Sequence, residues 1–95
     1  MLELNRSPVS HVFKYRDRVT IVFDILSSVR NSKKGRRKTQ IMQSANLNYA
    51  QTKKYLNYLT DCGFLMITDR QIYAITSKGS QFILLAQMQK IHNLR

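Results

Sequence analysis

Lys and Arg, with two side-chain amides, are the residues of this chain whose types and spacing could do chemistry. The run Arg30-Asn-Ser-Lys-Lys-Gly-Arg-Arg-Lys38 places six cations in nine residues with no acid between them. Like charges this close repel, and a polyanion relieves the repulsion. A phosphate backbone also releases counterions when Lys and Arg neutralise it. The bland alternative is a solvated, flexible loop. A second set follows at Gln51, Lys53, Lys54 and Asn57. Point charges position a protein on phosphates, whereas Gln and Asn can read adenine through two hydrogen bonds.

Other chemistries lack a constellation. His11 and His92 are isolated, and neither stands at metal-ligand spacing with Cys62 or a carboxylate. The three glycines are scattered, so no phosphate-cradling loop is present. Asp17 and Asp24 could in principle hold Mg²⁺ for a nuclease. Asp17 between Arg16 and Arg18 is better explained by ion pairing or helix capping. The expectation is a protein that is not an enzyme, with no metal, cofactor or small-molecule ligand.

The whole chain carries the same bias. Among 95 residues, sixteen Lys and Arg face five acids, a net charge of +11. Such an excess suits nucleic acid, and less often an anionic membrane. The last helix carries only Lys78, Lys90 and Arg95 as cations, which weakens the membrane-surface reading. The longest apolar run, residues 82–88, is too short to span a bilayer and the N-terminus lacks a signal-peptide pattern, so a cytoplasmic protein is expected.

The elements that must position these side chains follow from periodicity. Residues 1–15 read as an arm or a helix extension. Residues 16–30 read as the core helix, with Val19, Val22, Phe23, Leu26 and Val29 at steps of three and four and Ile25 widening the stripe. A short helix starts at Thr39, capped by its hydroxyl, and carries Ile41, Met42 and Ala45. Asn46 stops it, Leu47 plugs the turn and Asn48 caps the next helix. That helix buries Thr52, Tyr55, Leu56, Leu59 and Cys62, turns Gln51, Lys54, Asn57 and Tyr58 outward, keeps Lys53 at the margin and ends at Gly63. This is the layout of a helix-turn-helix, or of an ordinary helical hairpin. Residues 64–68 and 71–76 read as a β-hairpin joined by a two-residue Asp69-Arg70 connection. Thr76 or Ser77 then caps a last helix to about Asn93. Phe82, Leu85 and Ile83 can pack back on the domain, while Leu84, Met88 and Ile91 form a stripe for a second copy.

KTQIMQSANLNYAQTKKYLNYLTDCGFL followed by YAITSKGSQFI resembles the small basic winged-helix DNA-binding, chromatin-associated proteins of Sulfolobus-type archaea. The segments Lys38-Thr-Gln-Ile-Met42, Ala45-Asn-Leu-Asn-Tyr-Ala50, Tyr55-Leu-Asn-Tyr-Leu59 and Thr76-Ser-Lys-Gly79 carry the resemblance. It implies homodimers formed through the C-terminal helix, and chromatin packing or transcription regulation as the role.

The reading is a mainly α protein with a small β-hairpin: a winged helix-turn-helix over residues 16–76 with an extended C-terminal dimerisation helix over 77–95. The expected partners are double-stranded DNA and a second copy, in the cytoplasm on the nucleoid. Gln51, Lys53, Lys54 and Asn57 would face the major groove. Lys33, Lys34, Arg36, Arg37 and Lys38 would hold phosphates, with Thr39, Asn48, Tyr49 and Arg70 at the edges of the contact. An RNA-binding winged helix and a protein-interaction module are the rivals.

Overall fold

The computed structural model describes the backbone of residues 16–93 and side chains as far as Gln89. The expectations for residues 1–15, and for the Ile91 side chain, lie outside that range. Helix α1 runs Arg18–Arg30. Asp17 caps it, its carboxylate accepting from the Thr20 N–H at 2.8 Å. That bond holds the Asp17 carboxyl below the usual carboxylate range. Ile21, Val22, Ile25, Leu26 and Val29 are buried, whereas Val19, expected in the stripe, is 60% exposed. The buried arc is centred one residue away from the expected one, and Ile21 fills the place assigned to Val19.

Helix α2 (Lys38–Ser44) and helix α3 (Tyr49–Asp61) form the helix-turn-helix. Asn46 adopts a left-handed φ of 56°. The Asn46 and Leu47 N–H groups then reach back to the carbonyls of Gln43 and Met42. Gly63, at φ 83°, does the same for α3, with Gly63 and Phe64 donating to Thr60 and Leu59. Both ends are therefore closed by the same pair of backbone bonds across one left-handed residue. Leu47 is buried in the turn as the sequence suggests. Two details differ. Helix α2 begins one residue early, with Arg37 at the cap position, so Thr39 is not the cap; Gln40 Oε1 instead accepts from the Arg37 N–H at 2.9 Å. Cys62 is half-buried at the end of α3 rather than part of the core.

Strands β2 (Leu65–Ile67) and β3 (Ile72–Ile75) make the wing, with Leu65 opposite Ile75 and Ile67 opposite Tyr73. The Thr68 N–H still donates to the Ile72 carbonyl at 2.9 Å, so the connection takes three residues, 69–71, rather than two. A turn closes from Thr68 to Gln71, and Gln71 stands at φ 64°. A two-residue hairpin loop of the common type I′ needs left-handed backbone at both positions, which Asp69-Arg70 does not favour.

The largest departure is in the basic run. Arg36–Arg37 is a strand, β1, pairing antiparallel with β3: Arg36 opposite Tyr73 and Arg37 opposite Ile72. The sheet has three strands in the order β1-β3-β2. Gly35 makes this approach feasible. It stands at φ 83°, and a Cβ there would lie 2.5 Å from the Tyr73 carbonyl oxygen. The cations Lys33 and Lys34 occupy a tight turn closed by the Gly35 N–H on Ser32 O.

Helix α4 spans Ser77–Asn93. Thr76 caps it, its hydroxyl accepting from the Gly79 N–H at 3.1 Å. Ile83 is 1% exposed and sits in the core, with Phe82 packed against it. Leu85, expected to pack back, is 62% exposed beside Leu84 and Met88. Gly79 lies against Phe64 and fixes which side of α4 faces inward, and Ile83 is one turn on from it. Around one core of Ile25, Leu26, Ile41, Leu56, Leu59 and Ile83, the helices and sheet form a winged helix. Among the described residues no helix is long and apolar enough to cross a membrane.

Candidate nucleic-acid interface

Helix α3 buries Thr52, Leu56 and Leu59 and exposes Gln51, Lys53, Lys54, Asn57 and Tyr58. Thr52 can be buried because its hydroxyl donates to the Asn48 carbonyl at 2.8 Å. From Tyr49 to Thr60 the helix carries no acid. A cationic surface without internal pairing is the result.

The N-terminus of α3 is built with care. Asn48 Oδ1 accepts from the Gln51 N–H at 2.7 Å, and Gln51 Oε1 accepts from the Asn48 N–H at 3.1 Å. The two amides thus close a reciprocal cap. Bidentate recognition of adenine requires both ends of an amide. Gln51 has its oxygen engaged in the cap, so Asn57 is the amide better placed for that chemistry. Lys38, at the start of α2, holds its ammonium 5.4 Å from the centre of the Tyr49 ring. This cation–π contact ties the two helix starts together and keeps a charge beside the outer face of α3.

Five of the six cations of the basic run, Lys33 to Lys38, separate in space. Arg37 is exposed and pairs with Ile72, next to the wing tip that carries Arg70. Arg37 and Lys38 therefore stand between the wing and the start of α3. Arg36 is half-buried, with Nε donating to the Ser28 carbonyl at 2.8 Å, so it fastens β1 to the end of α1. Lys33 and Lys34 are exposed at the opposite end of β1 from the wing tip. Helix α3 packs on β2, and β1 is at the other edge of the sheet. The run that looks continuous in sequence thus offers Arg37 and Lys38 to one region and Lys33 and Lys34 to another. Thr39 is exposed on the first turn of α2.

Residues that the sequence reading did not assign to the interface shape its surroundings. Arg16 pairs with Asp24 at 2.7 Å and donates to the Asn46 carbonyl at 3.0 Å, clamping the helix-turn-helix turn to α1. A spacing of eight across a helix boundary gives no periodic signal for this contact. Arg18 and Tyr58 face one another across a cleft beside α3. The Tyr58 hydroxyl bonds the Cys62 side chain, and this bond raises its pKa above the usual tyrosine value. Among the described residues no three His, Cys, Asp or Glu side chains gather as a metal site would require.

Comparison with known proteins gives consistent likenesses. A family model described as a winged helix-turn-helix matches residues 15–95. An uncharacterized protein, MJ0290, of Methanocaldococcus jannaschii is 38% identical over 79 residues, covering 83% of this chain and 35% of that protein. The chain thus spans about a third of that relative's length. The crystal structure of Sso10a-2, a DNA-binding protein from Sulfolobus solfataricus, superposes with a TM-score of 0.65 at 29% identity, covering 82% of this chain and 83% of that one. The O-methyltransferase NcsB1 of neocarzinostatin biosynthesis, complexed with S-adenosyl-L-homocysteine, shares the fold at a TM-score of 0.54 and 17% identity, over 67% of this chain and 21% of its own.

Proposed function

Because the chain belongs to the winged helix-turn-helix family, we propose that it binds double-stranded DNA with the outer face of α3. The observation that carries this reading is the exposed face of that helix from Tyr49 to Thr60, which holds Lys53, Lys54 and Asn57 and no acid, with Lys38 against Tyr49 at its start. Similarity to the DNA-binding protein Sso10a-2 supports it. In the proposed complex α3 enters the major groove. Arg37 and Lys38 hold one backbone, Arg70 touches another from the wing, and Tyr49 and Asn48 flank the entry. Lys33 and Lys34 contribute only where the duplex extends past the sheet. One free amide is too few for strong sequence specificity, which favours a chromatin or architectural protein, or a regulator of broad preference, on the nucleoid in the cytoplasm. The role is binding, not catalysis. The test is a gel shift with labelled duplex DNA, challenged by unlabelled DNA or RNA duplexes of equal length. DNA should compete at least about tenfold better, since an A-form major groove is too narrow for a helix. Equal competition would favour the RNA-binding alternative.

The proposed assembly is a homodimer through α4. Leu84, Leu85 and Met88 are each more than half exposed and adjoin one another on its outer face. Burial in a two-fold seam would stabilise each by up to roughly 1.5–3 kcal/mol. Such a seam would set the separation of the two α3 helices and hence the spacing of half-sites. Sedimentation equilibrium should show a dimer at micromolar concentration. Leu84→Asp combined with Met88→Asp should yield a monomer that binds DNA much more weakly. A double variant that stays dimeric would move the seam elsewhere.

A further inference from the structure

A cleft of about 280 Å³ opens between the start of α1, the outer flank of α3 and the first turns of α4. Its wall is apolar: Val19, Val22, Phe64 and Phe82. The Phe64 and Phe82 rings pack with centroids 5.5 Å apart at 42°, forming a rigid aromatic surface. Val19, 60% exposed, contributes its side chain to this cleft instead of the core. The mouth is cationic, with Arg18 and Lys54, and no acid is among the lining residues. Small-molecule sites share this character: concave, mostly apolar, about 300–1,000 Å³ in volume, with a few converging polar groups.

We propose that this cleft binds a small amphipathic carboxylate, an acid with an aromatic or short aliphatic body. The body lies on the Phe64–Phe82 surface and against Val19 and Val22. The carboxylate lies between the Arg18 guanidinium and the Lys54 ammonium. Charge complementarity selects this class. Two cations beside an apolar wall offer nothing to a neutral hydrocarbon that they do not cost in desolvation, and the wall offers nothing to a bare inorganic anion. A carboxylate between them forms charge-assisted hydrogen bonds in a partly dehydrated setting. Nothing in the residue pattern announces this site, because its members come from α1, α3, the start of the wing and α4.

The site has a regulatory consequence that rests on the DNA reading. Lys54 belongs to both surfaces. A carboxylate that holds it withdraws a cation from the DNA face, so acid and duplex should each weaken the other's binding by the same factor.

The test uses the full chain, 4-phenylbutyrate as probe and 4-phenylbutan-1-ol as its neutral counterpart. Binding is followed by methyl and amide NMR without DNA, so its outcome is independent of the DNA reading. Saturable shifts of the Val19 and Val22 methyls are expected with the acid. The alcohol should bind about tenfold more weakly, and Arg18→Gln or Lys54→Gln should each weaken the acid by about that factor. Both positions are on the surface, so the variants should keep the parent spectrum elsewhere. Equal affinity for acid and alcohol, shifts elsewhere, or no saturation with millimolar probe would overturn the proposal. So would binding seen only after removal of residues 2–13, which would make that segment the occupant. Probe binding that splits a dimer would assign the cleft to a second copy instead.

Discussion

A fourfold rise in salt should weaken the binding of this chain to a random-sequence duplex by about 500-fold. A chain that neutralises about five phosphates has a slope of log K against log salt near −4.5, and a fourfold change is then close to three decades. Variants should divide that slope by place rather than by charge alone. Lys53→Gln with Lys54→Gln removes two cations from the outer face of α3, and the slope should flatten by about two. Arg37→Gln with Lys38→Gln should do likewise. Lys33→Gln with Lys34→Gln removes the same charge from the far end of β1 and should change the slope by less than one. Filter-binding titrations at four or five salt concentrations give all the slopes. If the turn pair carried the salt dependence and the α3 pair did not, the duplex would lie along the β1 edge, and the major-groove reading of α3 would fall.

The second large effect is on stability. Gly→Ala within a helix ordinarily stabilises by about 0.5–1 kcal/mol. At Gly79 the sign should reverse. An added Cβ would stand 2.3 Å from the Phe64 carbonyl oxygen and 2.8 Å from Ile75 Cγ1. The carbonyl has little freedom to retreat, since it accepts from the Thr76 N–H at 3.2 Å and from the Thr76 hydroxyl at 3.1 Å. Overpacking costs of about 1–3 kcal/mol apply, and a domain of this size loses roughly 4–8 °C of Tm per kcal/mol. Gly79→Ala should therefore lower Tm by about 5–20 °C. Gln81→Ala, on the exposed side of the same helix, should leave Tm within a few degrees. A Gly79→Ala protein as stable as its parent would mean that α4 slides on Phe64 at little cost. Calorimetry on the three proteins decides.

These two experiments probe parts of the molecule that differed in legibility. The helix-turn-helix was readable because its determinants are local. Asn46 and Gly63 stand at the left-handed positions their types favour. The polar side of α3 is exposed as its period requires, and its cap at Asn48 is three residues from the partner N–H it serves. Legibility failed where a contact joins distant segments. Arg36-Arg37 has no β pattern of its own and becomes a strand only because β3 offers an open edge above Gly35. Leu85, expected inward with Phe82 and Ile83, turns outward because the face of α4 is set by the fit of Gly79 against Phe64, which no helical period records. At the candidate interface, types and exposure were legible, but competition for Gln51 was not. The same amide that suits a base also suits a helix cap, and the cap holds its oxygen.

The pairing of β1 with β3 also bears on how the molecule assembles and opens. Helices α2 and α3 and the wing hairpin need only short loops to close, so they can form early. Joining Arg36 to Tyr73 closes a far longer loop, at an entropic cost of roughly 3 kcal/mol beyond a constant. A strand of two residues gives few hydrogen bonds in return. Strand β1 should therefore dock last during folding, and its amides should exchange with solvent sooner than those of the core helices. That seam ends in Arg37, next to the wing. A phosphate gripped there would hold the slowest-formed and first-opened junction shut, so the partner would act as a clasp on the fold as well as its cargo.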